Sequence, residues 1–349
     1  MMEIGSIYSL RKLEVEAGPS FLPAGNDALY FSLCREALLV VARHYGFLQK
    51  KVLLPAYTCQ TVIDPFLQEG WEIGYYHIKD NLRIDVSDLR AKYLSFQPSL
   101  CVAHPYYGAD LNQEELETLS ELKSAGCVLI EDLTQCVFST QRNPIFDCFT
   151  GSYRKWFPIP DGAFLLGKDL VVDEMVENER FVRTMADAMY LRGNFHQTGD
   201  VNIKEISRRV GNEAIHLISG EIVPHKMSGF SFSLMSGINI KDVQQKRLAN
   251  YQYLFEHLQD SMHCRPIDRQ LEELTCAPLF FPIYVRDRAA FQKKLAQSEI
   301  YAPVLWPVYT DAVLINDDIK KIYDNILMLP IDQRYDSDDM QRMVEVINL

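Results

Sequence analysis

The chain has 349 residues, a formal net charge of −12, and 48% hydrophobic and 23% charged side chains. At roughly 100–200 residues per domain this predicts two domains with sizeable cores, and the acidic balance argues against a nucleic-acid partner, whose phosphates demand basic patches. No apolar run approaches the length of a bilayer span, and the first residues carry no apolar core of a secretory signal. The eight cysteines are scattered, with no CxxC pair, and no His/Cys cluster has metal-ligand spacing. These features predict a cytoplasmic protein with reduced thiols, no membrane partner and no metal.

The pattern along the chain alternates. Gly18 to Gly25 is a loop with Pro and Gly punctuation, and Asn26-Asp27 are placed to cap the next element. Leu29, Leu33, Ala37, Val40, Val41 and Tyr45 recur at helical spacing, which predicts a helix from Ala28 to Gly46. Val52 to Leu54 reads as a short buried strand ended by Pro55, and Thr61 to Glu69 as a helix closed by Gly70. A strand over 72–78, a helix over 86–96, a strand over 99–108, an acidic helix over 111–126 and a strand over 127–132 come next. Alternation on this scale predicts an α/β layer with a largely parallel sheet. Ligands sit at the carboxyl ends of such strands. Tyr57-Thr58-Cys59, His104 to Gly108 and Asp132 to Gln135 close separate strands and are predicted to converge.

The stretch Phe146 to Gly167 holds the candidate chemistry. It reads as strand, exposed loop, turn at Pro158 to Gly162, and strand. Lys155 lies between Arg154 and Trp156, three residues after Ser152, whose hydroxyl and N–H suit an anion. Desolvation and a neighbouring cation both disfavour an ammonium, and a neutral lysine amine forms Schiff bases with carbonyls. The plainer reading is a solvated loop lysine. Asp132 is the second candidate. A carboxylate closing a buried strand needs a partner; a pyridinium N–H is one, and a helix N-terminus to cap is another.

The remaining segments are coarser. Residues 169–194 read as a charged helix, 194–226 show little periodicity, and 228–258 read as a loop leading into a long helix. A strand at 276–285, a helix at 288–300, a strand and loop at 301–309, a short strand at 327–335 and a helix at 336–348 suggest a smaller α+β domain. The expected division is 1–227 and 228–349.

In the order and spacing of FSLCREAL, KKVLLPAYTCQTVIDPFLQEGWEI, AHPYYGADLN, VLIEDLTQ, GSYRKW with PIPDGAFLL, and LPIDQRY, the chain resembles the DegT/StrS family of PLP-dependent sugar aminotransferases. The resemblance spans nearly the whole chain. It implies the type I PLP-dependent transferase fold, a homodimer, and transfer of an amino group from a donor such as glutamate to a nucleotide-linked keto sugar in polysaccharide or glycoconjugate biosynthesis. By resemblance, Lys155 is the Schiff-base lysine and proton carrier, and Asp132 binds the pyridine nitrogen of pyridoxal 5′-phosphate (PLP). Gln135 reaches the ring oxygen or an adjacent group, Ser152 binds the phosphate, and the loop at Cys34-Arg35 offers N–H groups to the same phosphate.

The chain departs from the family at several positions. Cys34-Arg35 replaces the usual Gly-Thr, and Arg35 is either a phosphate contact or an exposed helix residue. Cys59 stands where a stacking aromatic is common, leaving Tyr57 either as the stacking ring or as a core residue. Ser231 replaces an Asn that the family contributes from a second subunit. His104 reads as a substrate or cofactor contact or as a hydrogen-bonded strand end. Trp306 reads as interdomain packing, and Arg334 either lines the substrate entrance or packs the domains. Two other outcomes fit the resemblance. One is a sugar dehydratase, against which Lys155 stands because the related dehydratases have histidine there. The other is a non-catalytic binding or regulatory protein, which the altered phosphate loop makes conceivable.

Overall fold

The computed structural model describes residues 3–10, 28–260, 264–267 and 273–348. The loop at 18–25 and the Asn26-Asp27 cap lie outside the described residues. The larger sheet has seven strands, β1 (Ala28–Phe31), β2 (Lys51–Pro55), β3 (Glu72–Tyr76), β4 (Leu100–Ala103), β5 (Val128–Asp132), β6 (Cys148–Ser152) and β7 (Ala163–Gly167). Their order is β1-β7-β6-β5-β4-β2-β3. The five strands from β6 to β3 are parallel, and β7 and β1 add antiparallel pairs at one edge.

Strand β4 is buried along its whole length and β2 beyond its first residue, as expected of a sheet covered on both faces. Helices α1 (Cys34–His44), α2 (Gln60–Gln68), α3 (Val86–Phe96) and α4 (Gln113–Ser124) form the crossovers. Two of them start on strong local signals. Asp85 accepts from the N–H groups of Ser87 and Asp88 to cap α3, and Asn112 with Glu115 forms a capping box on α4.

The first predicted helix is shorter than its apolar spacing suggested. Ala28 to Phe31 instead pair antiparallel with β7, from Ala28 opposite Leu166 to Phe31 opposite Ala163. Only Cys34 onward is helical.

Beyond β7, residues 170–176 are not helical. A helical hairpin comes after them, α5 (Glu179–Thr198) and α6 (Val201–Leu217), turned by Gly199 at φ 69°. Helix α6 was not foreseen, although Ile203, Ile206, Val210, Ala214 and Leu217 recur at helical spacing; it buries only Ser207 and Ala214. Next come α7 (Gly229–Ser236), predicted as loop, and α8 (Ile240–His257).

The second sheet is antiparallel and three-stranded. It contains β8 (Cys264–Pro266), β9 (Phe281–Val285) and β10 (Ile326–Leu329), in the order β10-β9-β8. Helices α9 (Arg288–Gln297), α10 (Asp317–Asn325) and α11 (Ser337–Asn348) complete this part. The sequence reading missed β8 and α10, and the strand predicted within 301–309 is irregular chain.

The start of the chain packs with this second part. Ile4 pairs with Ile300 in a parallel bridge and is buried in the core formed by Leu254, Ile283, Leu327 and Met340. Among the described residues no helix is long and apolar enough to cross a membrane, and none of the eight cysteines is in a disulfide.

Candidate active site

The carboxyl ends of β2, β4, β5 and β6 meet at one place, as the parallel order requires. Asp132 ends β5 and is 2% exposed. It does two jobs. Its Oδ1 accepts from the Thr134 N–H at 2.9 Å, which caps the 3-10 turn Leu133–Gln135. Its Oδ2 lies 3.5 Å from His104 Nδ1.

His104 lies just past β4. Its Nδ1 is also 3.4 Å from the Asp132 carbonyl oxygen, and its Nε2 is 3.1 Å from Thr58 Oγ1. The arrangement suits the tautomer in which Nδ1–H donates to Asp132 and Nε2 accepts from the Thr58 hydroxyl. Burial holds the imidazole below its usual pKa against the opposing pull of Asp132, and the Lys155 charge adds to the depression.

Lys155 ends the 3-10 turn Tyr153–Lys155, directly after β6. Several bonds hold this turn. The N–H groups of Tyr153 and Arg154 both donate to the Gly162 carbonyl, at 2.9 and 3.2 Å. The fully buried Trp156 donates Nε1–H to the Thr134 carbonyl at 2.8 Å. The lysine stem is therefore tied to the turn just after Asp132.

A small cavity of about 20 Å³ is lined by Lys155, Asp132, Gln135, His104, Cys34 and Arg35, together with Cys59, Thr61, Thr134 and Trp306. A larger cavity of about 640 Å³ adjoins it and shares Cys59, Thr61, Lys155 and Trp306 with it. Arg154, Arg192, Arg247 and Arg334 line this larger space, as do residues 5–8.

Two features of the small cavity suit a ligand. Gln135 Oε1 accepts from the Tyr107 N–H, but the buried Nε2 has no hydrogen-bond partner. Helix α1 begins at Cys34 with no side-chain cap on its first N–H groups, which leaves a donor set of the kind that takes an anion.

The other sequence candidates fall in different places. Cys34 Sγ lies 3.4 Å from Thr150 Oγ1 and 3.7 Å from Thr134 Oγ1, and burial pushes its thiol up to about 12. Arg35 borders the cavity but donates Nη1–H to the Ile218 carbonyl at 2.8 Å. Tyr57 is buried in an aromatic cluster with Tyr106, Trp306 and Tyr323, behind the cavity wall. Ser152 is buried at the end of β6 and lines neither cavity. Ser231 is fully buried, and its hydroxyl donates to Asp161 of the same chain at 2.5 Å.

Arg334 grips Asp332 through two bonds and the carbonyls of Ser6 and Ile7, which fixes the start of the chain on the cavity rim. Trp306, read from sequence as packing, also belongs to the wall of both cavities. Thr61 was not anticipated, whereas Thr134 lies within the strand end Asp132 to Gln135 that was expected at the site. A single threonine in the first turn of a helix carries no periodic signal. Among the described residues no group of three or more His, Cys, Asp or Glu side chains is placed to hold a metal.

No family model matches the chain, and no curated protein matches it by sequence. Solved structures match its fold. PseC of Helicobacter pylori, an aminotransferase involved in pseudoaminic acid biosynthesis, is 14% identical with a TM-score of 0.65, over 99% of this chain and 98% of that one. The sugar aminotransferase CalS13 from Micromonospora echinospora is 14% identical with a TM-score of 0.63, over 92% of this chain and 86% of that one. NtdA from Bacillus subtilis, with bound cofactor PMP, is 17% identical with a TM-score of 0.63, over 92% of this chain and 73% of that one. The chain therefore has the type I PLP-dependent transferase fold, an α/β architecture with a mixed seven-stranded sheet.

Proposed function

We propose that the chain is a PLP-dependent aminotransferase of the DegT/StrS type. It moves an amino group from an amino-acid donor, glutamate in the first instance, to the carbonyl of a nucleotide-linked keto sugar destined for polysaccharide or glycoconjugate synthesis. The observation that carries the reading is the meeting of Lys155, Asp132 and the unpartnered Gln135 Nε2 on one cavity at the uncapped start of α1. The names of the fold neighbours support it, one a sugar aminotransferase and another an aminotransferase of pseudoaminic acid biosynthesis.

The donor set fits PLP. Lys155 would be the covalent anchor, Asp132 the partner of the pyridine nitrogen, Gln135 a donor to the ring oxygen, and the first N–H groups of α1 would cradle the phosphate. Bound there, PLP supplies an electron sink for the carbon that loses a proton.

The protein's own groups do the rest. Asp132 is oriented by the Thr134 N–H and by His104. Lys155 Nζ, on a turn tied down through Trp156 and Gly162, takes a proton from the donor's α-carbon side and returns it on the acceptor's. The larger cavity holds the two substrates in alternation, so that amino acid and keto sugar give keto acid and amino sugar with no net redox change. The division near residue 227 and a homodimer are part of the same proposal. The two separate sheets support the division, and family resemblance alone supports the dimer.

The deciding experiment is the visible absorption spectrum of the purified chain with PLP, for wild type and Lys155→Ala. A protein-bound band that changes on adding glutamate, and is missing in the variant, supports the proposal. A wild type that acquires no band sinks it.

A further inference from the structure

The larger cavity is rich in arginine, yet most of that charge is spent on the protein itself. Arg192 pairs with Glu3 at 2.8 Å, and Arg334 pairs with Asp332 at 2.7 Å. Arg247 fills its donors with Gln333, the carbonyls of Pro278 and Leu279, and the Tyr8 hydroxyl. Arg208 is exposed and pairs with Glu205 along its own helix.

Arg154 differs from these. Among the described residues no acceptor or carboxylate is bonded to its guanidinium; its buried Nε has no partner, as is true of Arg192 Nε, but Arg192 keeps the Glu3 carboxylate. The carboxylate that acts on it, Asp161, is itself committed. Asp161 accepts from the Ser228 hydroxyl and N–H and from the Ser231 hydroxyl. Burial and the nearby Arg35 press the Arg154 guanidinium below its usual value, so the site favours an added negative charge. A buried donor of this kind is costly to leave unpaired.

We propose that Arg154 is the anchor for a carboxylate of the amino donor. The inference rests on the aminotransferase reading and deepens it. Arg154 and Lys155 are consecutive and line the same cavity. In an amino acid the α-carboxylate is one carbon away from the carbon whose amine reacts. In a sugar nucleotide the phosphates are a sugar ring away from the reacting carbonyl. An anion site on the residue next to Lys155 therefore matches the donor's spacing. The guanidinium fork also suits a carboxylate.

The test uses the full chain loaded with PLP, in wild type, Arg154→Gln and Arg154→Lys. The donor half-reaction with glutamate is followed spectroscopically, the acceptor half-reaction is followed with a keto-sugar nucleotide, and cofactor affinity is titrated. Arg154→Gln is expected to lower kcat/KM for glutamate about 10–100-fold, with Arg154→Lys recovering part of it. Acceptor KM and cofactor affinity should stay unchanged. A loss that falls on the acceptor instead assigns the anion to the sugar nucleotide's phosphate and overturns the proposal. A loss that falls on PLP affinity assigns it to the cofactor and also overturns it.

A second arm needs no turnover. Succinate, which has no amino group to react, should raise the melting temperature of wild type and not of Arg154→Gln. If no amino acid reacts with wild type, the aminotransferase reading fails, and the succinate arm still decides whether Arg154 binds a carboxylate. No shift in wild type overturns the site.

Discussion

His104 and Asp132 form a buried contact across the ends of two neighbouring parallel strands, with Nδ1 3.5 Å from the carboxylate and 3.4 Å from the carbonyl of the same residue. The histidine thus reads both the position and the charge of the acid, and Thr58 fixes its far nitrogen. Replacing it with Gln should leave Asp132 in place but poorly held, at a cost of about 1–3 kcal/mol in the half-reaction barrier, roughly 10–100-fold in kcat. The same variant carries a pH signature. The imidazole is held below its usual value in the fold, so the unfolded chain takes up its proton first. The stability that the neutral imidazole contributes is present above pH about 6.5 and is lost as pH falls below it. His104→Gln should flatten that part of the melting-temperature profile; an unchanged slope would remove His104 from the account.

Gln135 offers a cleaner cofactor readout. Its Nε2 is a donor without a partner, so Gln135→Leu removes that ligand contact, together with the Oε1 that accepts from the Tyr107 N–H. PLP affinity should fall about 2–12-fold, the worth of a hydrogen bond of about 0.5–1.5 kcal/mol. Equal titration curves for wild type and variant would exclude the contact.

Gly108 sets the path of the chain after His104. It lies at φ 84°, and a β-carbon there would come within 2.6 Å of the Cys276 carbonyl oxygen. Gly108→Ala therefore combines backbone strain with a backbone clash, and should destabilise by about 1–3 kcal/mol. Urea unfolding measures it, and a midpoint equal to wild type would contradict the close approach.

Acid sensitivity should also trace to Glu3. Burial pushes its carboxyl up, but the His196 hydrogen bond, the Lys204 ammonium and the Arg192 guanidinium outweigh this and hold it at about 2. A depressed carboxyl contributes stability above its unfolded value of about 4.5 and loses it as pH falls toward about 2. Glu3→Gln should melt earlier than wild type at neutral pH, and the gap should close as the solution is acidified through that window. A gap independent of pH would assign the effect to packing.

The site was more legible in the sequence than the fold's periphery. Asp132 stands out because a buried strand that ends in a charge needs a reason for it, Lys155 because it lies between an arginine and a tryptophan just after a strand, and the parallel α/β pattern sends strand ends to one face. What stayed hidden was hidden for physical reasons. The strand Ala28–Phe31 runs into α1 through Ser32 and Leu33 without a Gly or Pro break, and its apolar residues fall by chance at helical spacing. The Ser231 hydroxyl is taken by Asp161 and the Arg35 guanidinium reaches Ile218. Those commitments depend on partners 70 and 183 residues away in sequence, which no local pattern encodes.

The first described residues have a consequence for how the protein is handled. Glu3 is clamped by α5 and α6, Gly5 donates to the Tyr335 hydroxyl, Ser6 and Ile7 accept from Arg334, and Tyr8 accepts from Arg247. Residues 5–8 also line the larger cavity. A trimmed amino terminus or a bulky fusion there thus reshapes the wall of the larger cavity as well as the fold. Tags belong on another part of the surface.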